Sequence, residues 1–540
     1  MRGRQTGGEA LADGLLRWNV DTVFGLPGVH LDHFFDALYG RRDRIRLYHT
    51  RHEQGAAYMA FGYAAATGRP GVFTVVPGPG LLNSGAALAT AYACSAPVLC
   101  LTTTVSWPMV DRQYGALHEI PDQSGLLRGL TKWSARVEHP AAVPEYLDEA
   151  FRQMTGGRPR PVALELPPEV LGQVAPMPDG RAGAVASPAP DEDLIEEAAK
   201  RLARAKSPVI VVGGGAQHAG EAVRRLAEAV QAPVISRLMG RGILSSRHDL
   251  SLPACAAGDV WKNADVVVGI GTRLQQLREW GADDELAVVR IDLDPAEMHR
   301  VKAPTVGIVA DAADATAALA DRLRGIEVTV RSNYAAVKAA FREEIAKTLA
   351  PQMAWLEALR AAMPDDGVIV EDLTQVSYGA RVDFPVYTPR SYLSSGYQGT
   401  LGCGFATALG AQAALPGRKV VAICGDGGFM YNVQELATAA QHGLGVVALV
   451  FNDGYFGNVR VIQKRWYGER YIGATLENPD FCALARSFGV QAERITEPRE
   501  LPDALERAFA SAAAAVIEIP FDIDDMPWVW DYLIPRRLRP

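Results

Sequence analysis

The chain has 540 residues, a net charge of −8, 48% hydrophobic residues and 21% charged ones. That length exceeds what one core fills, so three domains are expected. The negative balance argues against nucleic acid or an anionic membrane as a partner, and no apolar run approaches a membrane span.

Short β-branched runs alternate with Ala/Leu/Glu/Arg-rich stretches along the whole chain, the pattern of parallel α/β layers. The opening MRGRQTGGEALADGLLRW has no apolar h-region, so no secretory signal is expected. In TRHEQGAAYMAFGYAAATG, Glu53 opens an Ala-rich apolar helix. Desolvation there would favour a neutral, proton-donating carboxyl; the plain alternative is a glutamate satisfying the helix dipole. Further on, the glycines of VVPGPGLLNSGAA (Gly78, Gly80) suit a type II turn. DGRAGAVASPAPDED, Asp179 to Asp193, reads as a linker. After it, SPVIVVGGGAQHAG is a strand followed by Gly213, Gly214 and Gly215. It does not match GxGxxG, and a strand-to-helix turn needing positive φ accounts for the glycines. The strand end IDLDP could put Asp292 or Asp294 near a ribose, so a bound nucleotide and a purely structural Rossmann-like spacer both stay open. A second break falls between Arg322 and Pro364, where a charged helical stretch leads into a new strand, GVIVED. The expected blocks are residues 1–178, 188–340 and 350–540. The first and third share a plan of Gly-rich turn, Ala-rich helix and hydrophobic strand. The six cysteines form no CxxC pair and read as reduced, mostly buried thiols of a cytoplasmic protein.

The third block carries the most specific signal. VVAIC ends at Gly425-Asp426-Gly427-Gly428, and VVALVF ends at Asn452-Asp453-Gly454. Between them FMYNVQELATAAQH is predicted as one helix, with Val433, Leu436, Ala437 and Ala440 on one face and Gly443 as its stop. A right-handed parallel crossover delivers both strand ends to the same sheet edge, so Asp426 and Asn452 come close. Both are hard oxygen ligands, suited to Mg²⁺ or Ca²⁺. Gly427 and Gly428, with a helix N-terminus behind them, make an anion site. Together these read as a diphosphate bridged by Mg²⁺; the plain alternative is a pair of turns without a metal.

GDG, an intervening helix and then Asn before a turn resembles the thiamine diphosphate-binding motif of the pyruvate decarboxylase and acetolactate synthase family. The resemblance covers essentially the whole chain. It implies an α/β fold of three domains, each a mainly parallel sheet flanked by helices: pyrimidine-binding, central Rossmann-like and diphosphate-binding. It implies thiamine diphosphate and Mg²⁺ as cofactors, with Asp426, Asn452 and the carbonyl of Gly454 as metal ligands. HEQGAA followed by GYAAATGRPGV and GPG is similar to the family's first domain, which makes Glu53 the carboxyl beside the aminopyrimidine. Gly78, Gly80 and Asn83 match the loop that backs that ring. In SSGYQGTLGCGFATALG, Leu401 matches the apolar wedge between the coenzyme's rings, and the Gly399 carbonyl would accept from the aminopyrimidine. In EDLTQVSYGA, Gln375 matches a diphosphate contact, while Val376 stands where a histidine often follows. The family builds each site between the first domain of one subunit and the third of another, so a homodimer or homotetramer is implied.

GLPGVHLDHFFDAL, VRVIQKRWYGERY, SRLMGRGILS and RIDLDPAE resemble acetolactate synthase. Ile462, however, replaces that enzyme's tryptophan, His118 its glutamine, and His30 a small residue. The GMHG segment that helps hold FAD there is missing, while IDLDP is retained, so FAD stays open. His30 with TRHE and TKWSARV looks more like benzaldehyde lyase and cyclohexane-1,2-dione hydrolase. A histidine near the reacting carbon could shuttle a hydroxyl proton, the role expected of His30 and His118; the alternative is loop histidines bonded to backbone carbonyls. Three readings follow. The first is a carboligase that decarboxylates pyruvate or a related 2-oxo acid and joins the fragment to a carbonyl acceptor. The second is a lyase or hydrolase of an acyloin or 1,2-diketone, without initial decarboxylation. The third is a non-catalytic relative that binds coenzyme or partners only.

Overall fold

The computed structural model describes residues 3–178, 183, 185–326, 328 and 332–539. Part of the expected linker, residues 179–182 and 184, lies outside these. Three six-stranded, all-parallel sheets carry the chain. The first holds Thr22–Gly25, Arg46–His49, Gly71–Val75, Val98–Thr103, Trp133–Arg136 and Val162–Leu166. The middle one runs from Pro208–Val212 to Val306–Val309, and the third from Val368–Glu371 to Ala515–Pro520. With strands counted along the chain, the first and third sheets share the order 2-1-3-4-6-5. The middle sheet has the Rossmann order 3-2-1-4-5-6. Strands buried on both faces must read as continuous apolar runs, which is why PVIVV, VVAICG and VVALVF lack alternation.

The first and third sheets are not separate bodies. Helix Glu53–Thr67 of the first lies against helix Gly404–Ala414 of the third, and both are buried on nearly every face. Their backbones touch: a Cβ on Gly62 would strike the Thr407 carbonyl, and one on Gly410 the Met59 carbonyl. Alanine and glycine are what permit this approach, and one apolar core runs through both sheets. The middle sheet has its own cores and is tied on by polar contacts. Arg158 of the first domain pairs with Glu297 and, at 3.7 Å, with Asp294. Buried Arg241 donates to the Ala380 and Arg381 carbonyls of the third. Helix Tyr334–Thr348 runs across position 340 and is followed by Ala350–Ala362.

Two expectations need correction. The stretch 429–442 is not one helix. A short turn, Asp426–Phe429, is followed by the 3₁₀ turn Val433–Glu435 and helix Leu436–His442, with Gly443 ending it at φ +62°. The break falls at Asn432, wholly buried, whose side-chain amide donates to the Gly402 carbonyl at 2.6 Å. Tertiary hydrogen bonding overrides helix propensity there, and Ala440, expected on the inner face, is exposed. Nor does positive φ explain Gly213, Gly214 and Gly215. None of them adopts it, and Gly213 is a glycine because a Cβ would lie 2.5 Å from the Gly271 carbonyl oxygen.

Candidate active site

The four central strands of the third sheet lie in the order Val368–Glu371, Val420–Gly425, Val446–Asn452, Ala515–Pro520, all running the same way. Their C-terminal ends therefore bring Asp372, Asp426 and Asn452 to one edge. Asp426 is 3% exposed, and Oδ2 accepts from the Gly454 amide at 2.9 Å and from the Asn478 side-chain amide at 2.6 Å. The same Asn478 nitrogen donates to Asn452 Oδ1 at 3.1 Å. Oxygens of Asp426 and Asn452 thus converge on one point, held by an N–H donor. Asn452 is aimed from behind, because its Nδ2 donates to buried Glu518 at 2.9 Å. Gly454 turns there with φ +73°; its carbonyl accepts from Leu476 N–H at 2.8 Å.

The electrostatics fit a cation. Burial pushes the Asp426 carboxyl above its usual range, although Gly427, Asn478 and Gly454 donate to it. Burial, and then the neighbouring Asp426, push Asp453 up to about 7. The Asp426 carboxylate and the Asn452 amide oxygen form a hard donor pair suited to a divalent ion, and the nearby Asp453 carboxylate adds to the negative charge there. Beside it, a Cβ on Gly428 would sit 3.1 Å from Leu401 Cδ1. Leu401 therefore lies over the GDG turn. Asp372, fully buried, grips the turn after Leu401 by accepting from Leu373, Gly402 and Gly404 N–H at 2.7, 3.0 and 3.0 Å. Its neighbour Glu371 accepts from Ser394 at 2.6 Å and from Arg381 and Tyr392, anchoring the other end of that segment. Gly399, between these anchors, is exposed with φ +58°. Gln375 is buried at the start of helix Gln375–Val382, and Ile462 is half-buried on helix Gly457–Trp466.

The first sheet gathers the other expected residues at its own C-terminal edge. His52 caps helix Glu53–Thr67, its ring accepting from Gln54 N–H. Glu53 Oε2 accepts from Asn83 Nδ2 at 3.0 Å. Gly78 begins helix Pro79–Cys94 at φ +58°, ψ −112°, a conformation only glycine takes easily and not that of a type II turn. Its amide donates to Gln123 at 3.0 Å, and a Cβ there would strike the His118 carbonyl. His118, at φ +68°, stacks on His30 with centroids 5.1 Å apart and planes 28° apart. Nδ1 of each ring is buried without a partner. Burial, and then His118, hold the His30 imidazole below its usual pKa. Glu53 is only half-buried within one chain, short of the desolvation expected of it.

No hydrogen bond among the described residues joins Glu53, Asn83, Gly78, His30 or His118 to Asp426, Asn452 or Leu401. Both halves are rimmed by exposed apolar side chains: Val29, Leu82 and Leu117 on one, and Met430, Tyr431 and Ile472 on the other. Asn478, Glu518, Asp372, Glu371 and Asp453 were not marked by sequence reasoning. Only Asp372 and Asp453, next to strand ends already singled out, carried a readable signal. Asp480, Cys482 and Glu518 also cluster, but Arg494 already pairs with both carboxylates.

Three family models match the chain. They describe the N-terminal TPP-binding domain of thiamine pyrophosphate enzymes over residues 5–126, the central domain over 195–319 and the C-terminal TPP-binding domain over 372–519. The chain is a thiamine pyrophosphate enzyme. Among its relatives is the probable 2-ketoarginine decarboxylase of Pseudomonas aeruginosa, 35% identical over 95% of this chain and 94% of that one. The probable acetolactate synthase large subunit of Methanocaldococcus jannaschii is 34% identical over 96% and 92%. The acetolactate synthase isozyme 1 large subunit of Escherichia coli is 31% identical over 97% and 95%. Within the thiamine pyrophosphate enzymes the chain is acetolactate synthase-like, and its three parallel-sheet domains are those the models describe. No described helix is long and apolar enough to cross a membrane.

Proposed function

We propose that this enzyme decarboxylates a 2-oxo acid and passes the acyl fragment to a carbonyl acceptor, using thiamine diphosphate and Mg²⁺. The convergence of Asp426 and Asn452 oxygens beneath Leu401 carries the reading. Asp426, Asn452 and the carbonyl of Gly454 would hold the metal, with Gly427, Gly428 and Gln375 around the diphosphate. Glu53 and Asn83 would hold the aminopyrimidine, with Gly78 and Gly399 beside it. When bound, the coenzyme supplies a nucleophilic carbon that accepts the acyl group while CO₂ leaves. Glu53 keeps a proton at the aminopyrimidine; Asn83 keeps the carboxyl aimed. Leu401 would pack against the bound coenzyme, and the apolar rim would exclude water. No hydrogen bond among the described residues joins the two halves of the site and each is rimmed by exposed apolar side chains, which supports a homodimer, or a tetramer built of dimers, with sites between subunits. Domain limits near 178, 188, 340 and 350 belong to the same reading. So does the spacer role of the middle domain, since Asp294 and Glu297 are occupied by Arg158; the visible absorption spectrum of purified protein tests this against FAD.

The stacked His30 and His118 favour a second reading, cleavage of an acyloin or 1,2-diketone. Two buried, unpartnered Nδ1 atoms at the edge that carries Glu53 suit proton transfer with a substrate hydroxyl. One experiment separates the two. Protein with thiamine diphosphate, Mg²⁺ and a panel of 2-oxo acids, pyruvate included, is followed for CO₂ and ligated product. Both appearing supports the first reading; neither appearing with coenzyme bound, but with acyloin cleavage, supports the second.

A further inference from the structure

Glu435 is a wholly buried carboxylate that the coenzyme chemistry does not use. It ends the 3₁₀ turn Val433–Glu435, in the stretch that begins at the GDG turn. Its backbone partners lie in the first domain, at the residues just before Glu53. Oε1 accepts the His52 backbone N–H at 3.0 Å and that of Arg51 at 3.3 Å. Oε2 accepts Arg51 N–H at 3.1 Å and the Thr438 hydroxyl at 2.5 Å. Every donor around it is an N–H or O–H, so an acceptor-only, charged group suits the position. Gly55 is part of the same fit, since a Cβ there would lie 2.5 Å from Glu435 Oε1. Flanking contacts dock the two segments together. Arg51 donates to Gln441 at 3.2 Å, and the His442 ring lies 5.1 Å from Tyr48 and 5.0 Å from His49.

We infer that Glu435 is the positioning residue for Glu53. Acting through the backbone of Arg51 and His52, it sets where helix Glu53–Thr67 starts and so where the Glu53 carboxyl points. His52 is the helix cap, and its amide is fixed by Glu435 from behind while Asn83 holds Glu53 from the front. Without Glu435 the part-buried amides of Arg51 and His52 lose their shared acceptor, and the chain ahead of the helix is free to shift toward another. A shift of about 1 Å in a reacting group costs up to roughly 100-fold. The inference rests on Glu53 being the carboxyl that serves the aminopyrimidine.

The test is the rate at which the C2 proton of thiamine diphosphate, bound with Mg²⁺ at saturation, exchanges with deuterium. Glu435→Ala is expected to slow exchange at least about tenfold in folded, loaded protein. Glu435→Gln should recover most of the rate, because its amide oxygen still accepts both amides. If Glu435→Ala does not fold, Gly55→Ala displaces the carboxylate without removing it and should also slow exchange. Glu435→Ala on top of Glu53→Gln should slow exchange no further than Glu53→Gln alone. Wild-type exchange in both Glu435→Ala and Gly55→Ala, with Glu53→Gln slow, would overturn the positioning role alone. So would a double variant slower than Glu53→Gln by the full factor of the single change. Wild-type exchange in Glu53→Gln would overturn the reading of Glu53 and the inference with it.

Discussion

The third and middle sheets both end strands in acids, yet only one edge is left open to a cation. At the third sheet, Asp426 and Asn452 turn oxygens toward a single point, and their hydrogen-bond donors there among the described residues are amides. At the middle sheet, Asp294 caps its own short helix, and Glu297, 2% exposed, is neutralised by Arg158 and Arg300. The same local motif, acid after parallel strand, forms the proposed metal site in one place and attaches a domain in the other. What separates them is whether the protein supplies its own cation. A strand-end acid is therefore informative only once its neighbours in space are known.

The hardest way to break that contrast is to remove Asp426. Asp426→Ala should weaken Mg²⁺-dependent thiamine diphosphate binding at least about 100-fold, since even outer-shell partners of a metal cost 10–100-fold. Titration of the coenzyme followed by calorimetry reads this directly, and near-normal affinity would remove Asp426 from the metal site. Glu53→Gln comes next. It should leave coenzyme affinity nearly intact and cut C2 proton exchange by roughly 10²–10⁴, the usual span for general acid–base catalysis.

Much of this edge was legible in the chain alone. Strands joined by a helical crossover run parallel, so two apolar runs linked in that way bring Asp426 and Asn452 to one edge. The shared plan of the first and third blocks was equally visible and appears as one strand order in both sheets. What periodicity could not show was anything set by contacts distant in the chain. Asn432 breaks the predicted helix because its amide reaches Gly402. Asn478 and Glu518 aim Asp426 and Asn452 from a loop and a strand far along the sequence. Gly213 answers to the Gly271 carbonyl, not to its own turn.

A smaller effect sharpens the comparison at the first sheet, where charge is kept off a site instead of gathered. Burial and then His118 hold His30 below its ordinary pKa of 6.5, so it is neutral at neutral pH and available as a base. His30→Ala should lower kcat about 100-fold with coenzyme binding unchanged. His118→Ala removes the like neighbour, so the acid limb of kcat/KM should move to higher pH; an unmoved limb would detach His30 from the profile. The linkage has a fixed sign. Below pH 6.5 the unfolded chain takes a proton that folded His30 refuses, so stability falls as pH drops toward the lowered value.

The smallest effect is expected at the middle sheet. Arg158→Ala takes one of two cations from buried Glu297 and leaves Arg300 in place at 3.0 Å. Removing one partner of a buried pair costs about 3–5 kcal/mol when nothing replaces it, and the remaining guanidinium should hold the loss to about 1–3 kcal/mol. The lost stability should appear as a lower unfolding midpoint in denaturant. Thiamine diphosphate affinity and C2 exchange should not change, because Arg158 binds the middle sheet's acids and touches neither half of the coenzyme site. A parallel fall in coenzyme affinity would mean that the middle domain shapes the site as well as carrying it, and the division between an edge for chemistry and an edge for attachment would fail.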